Sequence, residues 1–179
     1  MTSKETIQDM LAQIRKGTLD ERREAVRKLS HMGERAVPVL TDALIQEEEE
    51  DARWYIARAL VKMGPVAIEP LIEVIELSQD DDARRYAAAA LGDMGEPAVD
   101  SLLDLLRSEQ EDIRGFAALA LCRIGKPAVV PLLEMLDATE GVTHTCAALT
   151  LYKMGELGPE ALEKYFAQAE KKNENPGVG

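Results

Sequence analysis

The sequence predicts an all-α fold: an α-solenoid of about five helix hairpins with an extra N-terminal capping helix. Three observations carry this. Ala and Leu are abundant while aromatic residues fill only 4% of the 179 positions, a bias toward helix and away from sheet. A hydrophobe-Gly pair recurs at Met32-Gly33, Met63-Gly64, Met94-Gly95, Ile124-Gly125 and Met154-Gly155, at intervals of 31, 31, 30 and 30 residues. Each glycine has one leucine four residues before it (Leu29, Leu60, Leu91, Leu121, Leu151) and another seven after it (Leu40, Leu71, Leu102, Leu132, Leu162).

At the N-terminus, Thr2 and Glu5 have capping-box spacing, and Ile7, Met10, Leu11 and Ile14 form one apolar stripe before Gly17, so residues 3–16 are expected to form an unpaired helix covering the first repeat. Thr18 with Glu21 repeats the capping signal. In each repeat the apolar positions eight, four and one before the glycine have the i, i+4, i+7 spacing of a first helix, helix A. The glycine ends that helix where a left-handed backbone is needed, and Pro97 and Pro127 fall in the first turn of the next helix. Offsets three, four, seven and eleven after the glycine, for example Ala98, Val99, Leu102 and Leu106, give the stripe of that second helix, helix B. A two-helix unit cannot bury both stripes alone, so repeats must stack.

The expected repeats are 18–47, 48–78, 79–108, 109–138 and 139–172, one domain over 1–172, with a polar, Gly/Pro-containing tail at 173–179 expected to be disordered. The fifth repeat drifts, carrying Val142 and His144 where others carry Asp and Arg, and Gly158-Pro159 where its helix B should start. Both ends read as modified for capping.

Hydrophobic residues make up 46% and charged residues 30% of the chain, enough apolar surface for a core. The net charge of -12 speaks against nucleic acid and against an anionic membrane, and favours neutral or basic partners. No apolar run is long enough to span a membrane, and the N-terminus lacks a signal-peptide pattern. Cys122 and Cys146 are the only cysteines and are expected to be free thiols in a cytoplasmic protein.

The repeat reads as Asp51-Ala-Arg53 through Met63-Gly64, Asp82-Ala-Arg84 through Met94-Gly95-Glu-Pro97-Ala98, and Asp112-Ile-Arg114 through Ile124-Gly125-Lys-Pro127-Ala128. This pattern resembles the HEAT-like repeats of the phycobilin-lyase type over about residues 18–170. The resemblance implies a stacked helical scaffold whose second helices line the concave surface. Relatives of this type include bilin lyases, an iron-dependent deoxyhypusine hydroxylase, DNA-glycosylase-like helical proteins and scaffolds without catalysis. The hydroxylase requires recurring His-Glu pairs, whereas His31 precedes Met32 and His144 precedes Thr145. DNA work requires a basic groove, against the acidic balance. Bilin handling stays open, although no bilin-binding motif can be read.

Four groups of residues invite a functional reading. The Arg ladder, Arg22, Arg53, Arg84 and Arg114, each two residues after an Asp, reads either as an anion-binding row or as a structural row bonded to the neighbouring repeat; the second is favoured. The acidic runs Glu47–Asp51, Asp80–Asp82 and Glu109–Asp112 read as solvated inter-repeat turns and dipole partners. Offsets five and nine after the glycine lie opposite the core stripe of helix B, and in the central repeats both columns are acidic: Glu69 and Glu73, then Asp100 and Asp104, with Glu134 beyond them. Those five residues are the expected contact set for a basic partner segment; the alternative is an ordinary wet helix face. Trp54 sits where other repeats carry Arg23 and Arg85, pointing away from the core, and is a candidate interface anchor or a surface ring covered by an arginine.

No phosphate loop, zinc spacing or catalytic triad is present, so no catalytic residue, metal site or cofactor is assigned. The expected function is a non-catalytic protein-interaction scaffold whose acidic helix-B face binds a basic or amphipathic partner segment. A bilin-lyase-type auxiliary or chaperone subunit, handling a tetrapyrrole or its acceptor protein, is the alternative; a repeat array without a dedicated ligand is the third.

Overall fold

In the computed structural model the described residues, 3–174, form eleven α-helices and no strand. A capping helix, α1 (Ser3–Lys16), precedes five hairpins: α2 (Leu19–Ser30) with α3 (Val37–Gln46), α4 (Glu50–Met63) with α5 (Ile68–Leu77), α6 (Asp81–Met94) with α7 (Val99–Leu105), α8 (Glu111–Ile124) with α9 (Lys126–Ala138), and α10 (Gly141–Tyr152) with α11 (Leu157–Glu174). The even-numbered A helices α2 to α10 pack on one another in sequence, and so do the odd-numbered B helices α3 to α11. Each B helix also packs on the A helix of the next repeat: α3 on α4, α5 on α6, α7 on α8 and α9 on α10. The core is therefore built between repeats.

The periodic leucines fill that core. Leu29, Leu60, Leu91, Leu121, Leu151, Leu40, Leu71, Leu102 and Leu132 are completely buried, and Leu162 in the last helix is half-buried. Alanines at the A-helix contacts, among them Ala83, Ala87 and Ala90, let the middle helices approach closely. At the start, Ile7, Met10, Leu11 and Ile14 of α1 are buried and close the array. Thr2, half of the first expected capping box, lies outside the described residues. The second box is present: Glu21 accepts from the Thr18 backbone N–H at 2.7 Å, and the Thr18 hydroxyl accepts from the Glu21 N–H at 3.4 Å. The C-terminal end differs from the expected polar cap, because Val142, Tyr152 and Phe166 are exposed there. Helix α11 runs on through Asn173 and Glu174, which composition assigns to the tail; residues 175–179 lie outside the described ones.

The repeated glycines are more restricted than a simple left-handed cap. Gly64, Gly95 and Gly125 have φ of 75°, 77° and 72° with ψ of −150°, −142° and −131°, an extended mirror-image region that a Cβ forbids. In the first three repeats a short 3-10 turn, Gly33–Ala36, Gly64–Ala67 or Glu96–Ala98, then leads into helix B, and Pro97 sits in that turn. Gly158 answers a different demand: a Cβ there would lie 1.6 Å from the Leu151 carbonyl oxygen, so only glycine lets α11 pass this close to α10.

The Arg ladder is structural. Arg53 and Arg84 are about 95% buried, and each reaches forward to a carboxylate of the next repeat, Arg53 to Asp80 at 2.7 Å and Arg84 to Asp112 at 2.5 Å. Each guanidinium also lies over an aromatic ring of the next repeat: Arg22 over Tyr55, Arg53 over Tyr86 and Arg84 over Phe116, at 5.7–6.0 Å. Arg22 bonds backward to the Gly17 and Arg15 carbonyls, Arg53 to that of Glu47, and Arg114 to those of Ser108 and Glu109. The ladder stops at Arg114 because the fifth repeat carries Val142 in the carboxylate column and Cys146 in the aromatic one.

One acidic residue departs from its expected solvated role. Glu47 is buried, because its carboxylate receives Arg15 Nε at 2.7 Å and the backbone N–H groups of Glu48 and Glu49 at 3.2 and 3.3 Å. It does for α4 what the Ser78 and Ser108 hydroxyls do for the Asp80 and Gln110 N–H groups ahead of α6 and α8.

Leu91→Ala, in the middle of the stack, is expected to cost about 2–5 kcal/mol by urea unfolding, and Leu162→Ala clearly less because its site is open on one side. A pH dependence is expected as well. Arg84 holds the Asp112 carboxyl below the ordinary range. At Glu47 burial alone would raise the carboxyl, but the bonds from Arg15 and the Glu49 N–H outweigh it and the net shift is downward. Carboxyls depressed in the folded state contribute stability above their unfolded value, about 4, that is lost as pH falls through the folded value. The urea midpoint should drop as pH is lowered through that range, and Asp112→Asn should flatten the fall.

Candidate functional site

The B helices present one continuous solvent-facing layer. Glu69, Glu73, Asp100, Asp104 and Glu134 are all exposed, as is Asp42 in the first repeat. They are on the wet side because offsets five and nine lie across the helix from the fully buried offsets seven and eleven, such as Leu102 and Leu106.

Clefts run between neighbouring B helices. The one between α3 and α5, about 510 Å³, brings Asp42 and Glu73 together with Ile45, Val74 and Leu77, and Asp80 lies at its edge. Leu77 is 74% exposed there, the most open of the large aliphatic side chains among the described residues. The next cleft, between α5 and α7, is about 410 Å³ and more polar, with Glu69, Glu76 and Asp104 facing Arg107. Within it Glu69 accepts from the Ser101 hydroxyl across the repeat boundary at 2.9 Å, and Arg107 bonds Asp104 at 2.6 Å. A third cleft, between α9 and α11, is about 380 Å³ and mainly apolar, lined by Val130, Leu133 and Leu157 with Lys126 and Lys164 beside them.

The acidic character is thus concentrated around α5. Arg107 neutralises part of it in the third repeat, and in the fifth Lys164 pairs with Glu160 at 2.6 Å. Glu134 stands farther along on α9, beyond these two clefts. The residues that sequence reasoning misses are Ile45, Glu76 and Leu77. Leu77 is the available signal, since a leucine stands at an offset held by Gln46 and Ser108 in the neighbouring repeats.

Trp54 is not brought to this face. It lies on helix A α4, 47% exposed, with the Arg58 guanidinium 5.3 Å from its ring centre. Both thiols are free, and the Cys122 thiol, pushed up by burial, donates to the Thr150 carbonyl at 3.6 Å. The two histidines bond backbone carbonyls through Nδ1, His31 that of Arg27 and His144 that of Leu136. Among the described residues no group of three or more His, Cys, Asp or Glu could hold a metal ion, and no helix is long and apolar enough to cross a membrane.

This geometry, repeating hairpins with an exposed second-helix layer, is matched by a family model described as HEAT repeats over residues 7–83 and 68–151. The chain belongs to the HEAT-repeat family. Its architecture is an all-α solenoid of stacked HEAT hairpins. Among solved structures it is similar to the complex of CpcE and CpcF of phycocyanin lyase from Nostoc sp. PCC7120, at 25% identity over 81% of this chain and 97% of that one, with a TM-score of 0.43. It is also similar to a designed armadillo repeat protein in complex with the peptide (KR)4, at 17% identity over 94% of this chain and 92% of that one, with a TM-score of 0.34. No curated protein matches the chain.

Proposed function

We propose that this HEAT-repeat chain is a non-catalytic scaffold whose acidic helix-B face, concave by resemblance, binds a basic amphipathic segment of a partner protein. The observation that carries the reading is the α3–α5 cleft, where the carboxylates of Asp42 and Glu73 stand beside exposed Ile45 and Leu77. Carboxylates alone would suit any solvated helix. Carboxylates flanking uncovered aliphatic side chains suit a segment carrying Lys or Arg on one edge and Leu or Ile on the other.

The two kinds of group have separate roles. Charge complementarity steers encounter and rejects acidic competitors, while burial of aliphatic surface slows release. Leu77 and Ile45 supply that surface, and Glu69, Asp100, Asp104 and Glu134 extend the attractive field along later repeats. Free thiols at Cys122 and Cys146 suit a reducing, cytoplasmic setting.

Replacing Glu73, Asp104 and Glu134 together by Lys is expected to abolish capture of a Lys/Leu amphipathic peptide, read by fluorescence anisotropy, while helicity and Tm stay the same. Raising salt from low to physiological strength should weaken the unsubstituted protein's binding. Unchanged affinity in the triple variant would remove the acidic columns as the site. Leu77→Ser should accelerate dissociation with little effect on association.

A further inference from the structure

The opposite layer carries a site of the opposite sign. Between α2 and α4, on the outer surface of the A helices, an open cleft of about 270 Å³ is lined by Arg23, Val26, Trp54, Tyr55, Arg58 and Lys62. Three cations, two aromatic rings and one aliphatic side chain meet there without a carboxylate, in a chain whose net charge is -12. The cations are largely uncommitted. Among the described residues Arg23 has only Asp20, at 3.8 Å with both side chains well exposed, a surface pair worth little. Arg58 lies on the Trp54 ring without an ion pair, and Lys62 has no carboxylate partner among the described residues. Trp54 is itself held, edge-on to Tyr55 with ring centres 4.8 Å apart, so the floor of the cleft is preformed.

From this we infer that the α2–α4 cleft docks an acidic peptide segment. Its carboxylates pair with Arg23, Arg58 and Lys62, and one aliphatic side chain inserts against Trp54 and Val26. The volume falls below the about 300–1,000 Å³ of small-molecule sites, and suits one inserted side chain rather than an enclosed ligand. Beyond Trp54 and Tyr55 a second open cleft continues past Leu19 and Arg22 to Asp51, giving an extended chain a path along the surface. Asp51 ends the cationic run, so acidic residues are read at the Arg58–Lys62 end and apolar ones toward Leu19. A polyphosphate chain fits less well, because beyond this patch it would meet the acidic remainder of the surface along its length, whereas a short acidic segment spans the patch alone. This inference is independent of the helix-B face: the two sites lie on different layers and select opposite charges.

Trp54 is the only tryptophan, so its emission reports the cleft directly. A Glu-rich peptide with one central leucine, titrated into the full chain at low salt, should shift or quench that emission saturably, and salt should weaken it. Arg58→Glu with Lys62→Glu should weaken binding by at least about tenfold. Both side chains are exposed, and circular dichroism checks that the helices persist; Lys62→Ala alone, expected to weaken binding severalfold, covers the case in which the double variant misfolds. Glu73→Lys on the other layer should leave the titration unchanged. The inference is overturned by an unresponsive Trp54, by undiminished binding in the charge-reversed variants, or by equal or tighter binding of a single-stranded oligonucleotide.

Discussion

No hairpin in this chain can bury its own apolar surface. The B helices α3, α5, α7 and α9 each turn one stripe to the A helix of the next repeat, and the A helices α4, α6 and α8 pack against the A helices on either side, so the hydrophobic contact that stabilises one unit belongs equally to its neighbour. The 30- and 31-residue period is the trace of that dependence: Leu29, Leu60, Leu91 and Leu121 occupy equivalent buried places because each meets an equivalent partner. The helix-B face inherits its order from the same stacking. Its carboxylates form columns because the leucines on the far side of the same helices form rows.

The buried arginines convert stacking into register. Hydrophobic contact between helices tolerates sliding, whereas Arg53 and Arg84 must each find one carboxylate and one ring of the next repeat. A buried guanidinium without those partners is costly, so the ladder penalises misaligned neighbours more than it adds net stability. Its end at the fifth repeat coincides with the loss of the Asp and aromatic columns. There too Val142, Tyr152 and Phe166 are left exposed.

Periodicity makes the fold legible: five glycines, ten leucines and the two stripes around them are enough to place the hairpins and the capping helix. The wet side of helix B is legible for the same reason, as the complement of a buried stripe. What escapes is whatever depends on a single repeat. Glu47 looks like one of five acids in a solvated run, yet its partner Arg15 comes from the capping helix, outside the repeat. Leu77, the last residue of its helix, stands off the core stripe at an offset held by Gln46 and Ser108 in the neighbouring repeats, so the repeat consensus says nothing of its role. Trp54, at the helix-A offset held by Arg23 and Arg85, is legible as exposed, but nothing local says that Arg58 of its own helix covers its ring. A net charge of -12 likewise conceals the cationic cleft, since a sum over the chain says nothing of how its charges are divided between layers. The turns at Gly64, Gly95 and Gly125, which sequence alone reads as ordinary left-handed caps, adopt a conformation narrower still, one that excludes Asn as well as other residues with a Cβ.

A stack whose contacts are mainly between neighbours can present different chemistry on its two layers without compromise, because solvent-facing positions take no part in the core. That property makes the acidic B face and the cationic cleft on the A face compatible in so small a chain. It rests on the repeats being interchangeable structural units, and excision of one whole unit tests this most directly. Deleting residues 79–108 joins equivalent points of neighbouring repeats; the shortened chain should remain helical and unfold cooperatively at a lower Tm. A deletion of the same region cut out of register should not fold. Loss of helical structure on removing the complete unit would contradict a core assembled from equivalent neighbours.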